Sequence, residues 1–192
     1  MAQQVTPALT VYKEFKPAKV YLTNGKMTRV LLANIFLKNS SLLYKSGLNT
    51  MEAKMNTISR VEFKDRTYYR IDSVLAYRVD TIGSDALYRL DRIDFEAFYQ
   101  NRANNTQITS LDMGDMVGYT TTDLASEQDL HFPIIPVYYL QLDGRYILAQ
   151  ERYLSRKLKD KEKKRAMYDV ITDKSFSWTD EQSLLRLLKA IR

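Results

Sequence analysis

Five carboxylates, Asp112, Asp115, Asp123, Glu127 and Asp129, lie close together in a stretch rich in Asn, Thr, Ser, Asp and Gly. Two acids flanking a glycosidic bond, one donating a proton and the other acting as base or nucleophile, are the common machinery of glycan hydrolysis. Carboxylates in number also suit a hard cation, but the spacing here lacks the D-x-D-x-D-G rhythm of a calcium loop. An acidic loop facing solvent has the same composition. The only histidine, His131, stands at the end of this stretch beside Phe132 and Pro133. No serine occupies a G-x-S-x-G elbow and no S-x-x-K occurs, so a nucleophilic triad built on His131 lacks its serine. An imidazole metal site needs more than one such ligand, so no metal site is expected and His131 is read as structural. There is no cysteine, which removes disulfides, thiolate nucleophiles, zinc thiolates and iron–sulfur clusters together. The few glycines form neither a phosphate-binding loop nor a dinucleotide fingerprint, and no cofactor is expected.

Two further groups suit binding. Tyrosine occurs 14 times, with adjacent pairs at Tyr68, Tyr69 and at Tyr138, Tyr139. Such rings serve protein and carbohydrate contacts alike, and on a strand one member of each pair faces each side, so half of these four would line a site. The second group is basic. Residues 152–165 hold Arg152, Arg156, Lys157, Lys159, Lys161, Lys163, Lys164 and Arg165 against Asp160 and Glu162, a surplus of six equal to the net charge of +6 of the whole chain. The rest is neutral, which disfavours a broad nucleic-acid footprint. As a helix this segment would turn Leu154, Leu158, Met167, Val170 and Ile171 inward and its cations to water. Alternatively Arg156, Lys157, Lys161, Lys163 and Lys164 form a patch for a polyanionic glycan or weak contact with anionic lipid.

The elements that would hold these groups are mostly strands. Asn24 and Gly25 separate two apolar runs and mark a hairpin, with both residues expected to take positive φ. The returning run, residues 30–37, is apolar at nearly every position and reads as a strand buried on both faces. Residues 61–64 turn at Asp65 and Arg66 into 67–71, which continues as strand through 74–79, and a further strand runs over 87–93 after Gly83 and Ser84, all rich in β-branched and aromatic residues. Asp143 and Gly144 turn residues 134–142 back into 145–149. Pro133 and Pro136 place that first strand at an edge or a strand start. Residues 101–131 show no period, as a functional loop or lid would. Helix begins near Glu151, and Thr179 with Gln182 has capping-box spacing for a last helix whose Leu184, Leu187, Leu188 and Ile191 share one face.

These segments give an α+β fold, mainly an antiparallel β-barrel or sandwich with a C-terminal helical segment. Residues 1–16 read as an arm, 17–150 as the β domain with an irregular loop at 101–132, and 151–192 as a subdomain of two helices packed on it. No run is apolar enough over roughly 18 residues to span a membrane as a helix. The opening AQQ reads as a mature N-terminus after removal of a signal peptide, with Met1 replacing it, or else as a plain cytoplasmic start.

On the segments VYLTNGK, VEFKDRTYYRID and FSWTDEQSLLRLLKAI, the chain resembles an uncharacterised extracytoplasmic family of Bacteroides-type Gram-negative bacteria. The resemblance implies export to the periplasm or cell surface and supplies no catalytic residues. The expectation is a non-enzymatic binding or structural protein of the cell envelope, with a protein or glycan of that envelope as partner. The alternative is a carboxylate-based glycan hydrolase using the acids of residues 112–129.

Overall fold

The computed structural model describes residues 5–6, 8–104 and 132–192. Their architecture is the expected α+β arrangement: one large antiparallel sheet with helices gathered at the C-terminal end. The strands are β1 (Val5–Thr6), β2 (Lys16–Leu22), β3 (Met27–Phe36), β4 (Ser41–Ser46), β5 (Asn49–Glu52), β6 (Ile58–Glu62), β7 (Thr67–Ile71), β8 (Val74–Ile82), β9 (Asp85–Ile93), β10 (Phe132–Leu142) and β11 (Arg145–Leu148). In space they run β1-β10-β9-β8-β7-β6-β2-β3-β4-β5, with β11 paired to β10 beside β1. Sequence neighbours are nearly always sheet neighbours, as short turns require.

Two-residue turns set much of the register. Asp143 (φ 49°) and Gly144 (φ 76°) are both left-handed, the twist that suits a tight hairpin. The Asn24–Gly25 turn differs from expectation: Gly25 alone has positive φ, and the Asn24 side chain instead accepts from the Lys26 N–H. Asp72 (φ 53°) reverses the chain between β7 and β8, so residues 67–79 form a hairpin.

From β8 to β4 the sheet curls into a barrel-like roll, tied where Leu75 N–H donates to Ser40 O and Ile93 N–H to Leu37 O. Its inside holds Val20, Ile35, Leu42, Ile58, Val61, Phe63, Tyr68 and Leu75. The N-terminal arm lies along β3, where buried Asn34 accepts from Tyr12 N–H and donates to Tyr12 O. One expectation fails in β3: Leu31 is 77% exposed and Leu32 is exposed too, at the irregularity where the β2–β3 register shifts between Val30 and Ala33. Pro136 fits its edge assignment, since β10 pairs with β1 only at residues 132–133 and with β11 only from Tyr139 on.

Beyond the roll, β9 and β10 extend as a flange. Three helices cover its inner face, not two: α2 (Glu151–Lys157), α3 (Lys161–Ile171) and α4 (Glu181–Ile191), while α1 (Phe95–Asn104) follows β9. The basic run breaks between α2 and α3 because Asp160 leaves helical geometry and caps α3, accepting from Glu162 N–H and Lys163 N–H. The last helix is capped by Asp180, which accepts from Ser183 N–H, one residue later than the Thr179 spacing suggested. Its Leu184, Leu187, Leu188 and Ile191 are fully buried against Leu87, Tyr138, Leu140 and Leu142.

Candidate functional site

Period two decides where the paired tyrosines go. Tyr68 is 2% exposed inside the roll and Tyr138 4% exposed beneath the helices, so both are core residues. Tyr69 and Tyr139, one position along, turn to the opposite face and are half-buried there. That outer face also carries Tyr88 and Tyr146, which the sequence reading did not single out.

Register explains the row. Tyr88 lies directly across from Tyr139, and Tyr146 across from Gln141, two residues further along β10. Tyr69 lies across from Ala76 on β8, and the missing bulk of that alanine lets the Tyr69 and Tyr88 rings meet edge to face at 5.7 Å. The Tyr88 and Tyr146 rings meet likewise at 5.2 Å, while the Tyr88 hydroxyl donates to Gln141 Oε1 at 3.2 Å. Edge-to-face contact is the favoured geometry for such rings. The row spans five strands, roughly 19 Å at about 4.8 Å per strand. Arg78 lies over the Tyr69 ring at 5.4 Å. Burial holds the Tyr88 and Tyr139 hydroxyls above the ordinary tyrosine value, with Arg92 acting against it at Tyr139 and Tyr153 of α2 adding to it.

At the Tyr69 end the row opens into a cleft of about 510 Å³, lined by Asp65, Arg66, Thr67, Tyr69, Tyr77, Arg78, Val79 and Glu181. Its origin is topological. β7 begins at Thr67, whereas β8 runs on to Ile82 through a bulge between Arg78 and Asp80, leaving a gap in the sheet. The exposed Thr81 N–H there is satisfied by its neighbour, the Asp80 carboxylate, at 2.7 Å.

The cleft's inner side is ionic. Arg89 donates to Glu181 at 2.7 Å and to Asp91 at 2.9 Å, and lies 5.8 Å from the Tyr138 ring. These carboxylates raise the guanidinium further above its ordinary value despite its burial. Burial pushes the Tyr138 hydroxyl up to about 12, Arg89 opposing it. Arg66 stacks over Tyr77 at 4.0 Å and makes no ion pair with a described residue. The Tyr12 hydroxyl donates to Asp65, and its ionisation is strongly disfavoured, first by burial and then by Tyr68 and Asp65.

Of the basic patch, Arg156, Lys157 and Lys161 are exposed, whereas Lys163 and Lys164 are half-buried along α3. Asp112, Asp115, Asp123, Glu127, Asp129 and His131 lie outside the described residues. Among the described residues no group of three or more His, Asp or Glu side chains is placed to hold a metal ion, and no helix is long and apolar enough to cross a membrane. No family model, curated protein or solved structure matches the chain.

Proposed function

We propose that the chain is a non-enzymatic binding protein of the bacterial cell envelope, holding a glycan chain along the tyrosine face with the cleft at one end. The observation that carries this reading is the row itself. Tyr69, Tyr139 and Tyr146 come from three strands onto one face and are joined by the buried Tyr88 ring, with Arg78, Arg92 and Gln141 among them, while the C-terminal helices pack on the opposite face. Tyrosine rings offer apolar surface to the C–H side of a sugar and hydroxyls to its edge, and arginine and amide groups bond sugar hydroxyls in pairs.

Catalysis is less well served in the cleft. A general acid needs a carboxyl kept protonated by apolar surroundings. Here Glu181 and Asp91 both accept from Arg89, and Asp65 accepts from Tyr12, so each carboxylate sits in a polar, hydrogen-bonded setting and not an apolar one. The envelope location rests on the resemblance to exported proteins, and cell fractionation tests it.

A glycan array with the purified chain, alongside Tyr69→Ala and Tyr146→Ala, tests the binding reading. Retention of at least one glycan by the wild type, lost by both variants without release of reducing sugar, is expected. Binding that survives both substitutions would remove the tyrosine face from the account, and steady release of product would replace a binding protein with a hydrolase.

A further inference from the structure

The entire net charge of the chain sits on α2, α3 and the elbow between them, and none of Arg152, Arg156, Lys157, Lys159, Lys161, Lys163, Lys164 and Arg165 makes an ion pair with a described residue. The ion pairs among the described residues lie elsewhere in the fold. Lys19 pairs with Glu62, Arg89 with Asp91 and Glu181, and Arg186 with Asp173. Within the basic run, Asp160 is committed to the backbone N–H groups at the start of α3. A surplus of six positive charges in fourteen residues is self-repelling, and an external anion would relieve that repulsion.

This patch adjoins the tyrosine row. α2 begins three residues after β11 and packs on it, and its Tyr153 is exposed and close enough to Tyr139 to oppose ionisation of that hydroxyl. Tyr146 on β11 belongs to the row itself. A chain lying over the accessible parts of Tyr69, Tyr139 and Tyr146, with Tyr88 buried beneath it, would cross the β11 edge of the sheet onto Tyr153 and so reach the α2 cations and those of α3, where Tyr168 is also exposed.

We infer that the glycan held by the tyrosine face is an anionic one, a polysaccharide bearing carboxylate or sulfate groups, whose charged units are taken by the basic elbow of α2 and α3. This rests on the proposed glycan-binding reading and adds the ligand's charge to it. A bilayer fits the elbow less well, because Leu154, Leu158 and Met167 face inward and are buried, leaving no apolar stripe to enter lipid. A single-stranded nucleic acid fits less well too, since it presents a phosphate beside every stacked base and needs cations interleaved with rings along the whole track. Here the surplus of positive charge is confined to the α2–α3 end, while at the cleft end Arg66, Arg78 and Arg89 are matched by Asp65, Asp91 and Glu181.

Isothermal titration with polygalacturonate, heparin, neutral dextran, an oligo(dT) strand and vesicles rich in phosphatidylglycerol tests the inference, each at several salt concentrations. The variants are Arg156→Gln, Lys157→Gln and Lys161→Gln combined, and Tyr146→Ala with Tyr153→Ala. All five side chains are exposed, and equal melting temperatures verify the folds. Polygalacturonate or heparin is expected to bind more tightly than dextran, weakening with salt, with about a tenfold loss in the triple variant and a shallower salt dependence. The tyrosine pair should lower affinity for the same polymer at every salt concentration. Dextran bound as tightly as the anionic polymers overturns the anionic assignment and leaves glycan binding standing. Binding of no polysaccharide removes both. Oligo(dT) or vesicles bound more tightly than the polysaccharides, with loss in the triple variant, would assign the elbow to nucleic acid or membrane and overturn the inference.

Discussion

Strands β9 and β10 carry two different surfaces built from alternate residues. On the inner face Leu87, Tyr138, Leu140 and Leu142 lie under α4, and on the outer face Tyr88, Val137, Tyr139 and Gln141 lie under no helix of the C-terminal group. The inner face is aliphatic where the leucines of α4 meet it, and its interactions are spent on stability. The outer face is aromatic, with hydroxyl, amide and guanidinium groups at its rim, and keeps Tyr146 37% exposed. Ala86, Tyr88 and Leu90 are buried on the outer side too, so the contact surface there is confined to Tyr139 on β10 and Tyr146 on β11, and substitutions at Leu140 and at Tyr146 should divide into stability and binding effects.

The largest expected effect is alkaline unfolding. Burial holds Tyr12, Tyr68, Tyr77 and Tyr138 on the inner side, and Tyr88 and Tyr139 on the outer, above the ordinary tyrosine value of 10.0. In the unfolded chain they ionise near 10. Above that pH the unfolded state has lost protons that the folded state keeps, so stability is intact below about 10 and falls as pH rises through about 12, where Tyr138 titrates. Tyrosinate absorbance should rise in one cooperative step with loss of the β signal. Independent titration of every tyrosine near 10 in an intact fold would mean that neither face shields its rings.

Leu188→Ala, at a fully buried position of α4, should cost about 3 kcal/mol by denaturant titration, as core truncations of this size do. A cost below about 1 kcal/mol would mean that α4 is a peripheral addition and that the two faces differ less than their burial implies. Arg89→Leu is expected to cost about 2 kcal/mol, because Asp91 and Glu181 lose the cation between them while Glu181 keeps some solvent contact. The double variant Arg89→Leu, Glu181→Leu should recover part of that loss. No recovery would mean that the guanidinium's packing against Tyr138 matters more than its charge.

Much of this division was legible in the chain. The two-residue turns at Gly83–Ser84 and Asp143–Gly144 fix two registers, so Gln141 opposite Tyr146 follows from the turn alone, whereas the reversal at Asp72–Ser73 was hidden in what reads as one continuing strand. Alternation showed that one tyrosine of each pair points each way, but which way depends on where the helices dock, and that is a tertiary fact. The β9–β10 pairing that brings Tyr88 to Tyr139 crosses residues 94–131 and has no local signal. Arg89 with Glu181 is equally remote, joined only when α4 lies on the sheet. The exposed Leu31 and Leu32 misled for a related reason: an apolar run cannot say whether both of its faces find partners. The break between α2 and α3 was readable, since Asp160 is a good N-cap inside an otherwise continuous basic run.

Asp180→Ala should cost about 1 kcal/mol, the usual value of an N-cap, by removing the acceptor of Ser183 N–H at 2.7 Å. Thr179→Ala should cost less, because Thr179 stands outside the helix and bonds only Ser177. Equal losses would restore the capping role to Thr179 and shift the start of α4 by a residue, moving Glu181 away from Arg89.

The smallest stability effect sharpens the contrast most. Tyr146→Ala removes an exposed ring that touches Tyr88 edge to face and should cost only about 0.5 kcal/mol in unfolding experiments. The same substitution should abolish most glycan retention, because it removes the exposed ring of the row, on the strand that α2 packs against, and interrupts the path to the basic elbow. Tyr138→Phe, one position from Tyr139 but on the inner face, reverses the pattern. Its hydroxyl makes only a long 3.5 Å contact to Glu181, so deleting it changes stability little and should leave glycan retention untouched. If Tyr138→Phe weakens retention as much as Tyr146→Ala does, the ligand must reach the inner face through the cleft between Arg66 and Glu181, and the outer tyrosines would be packing for it.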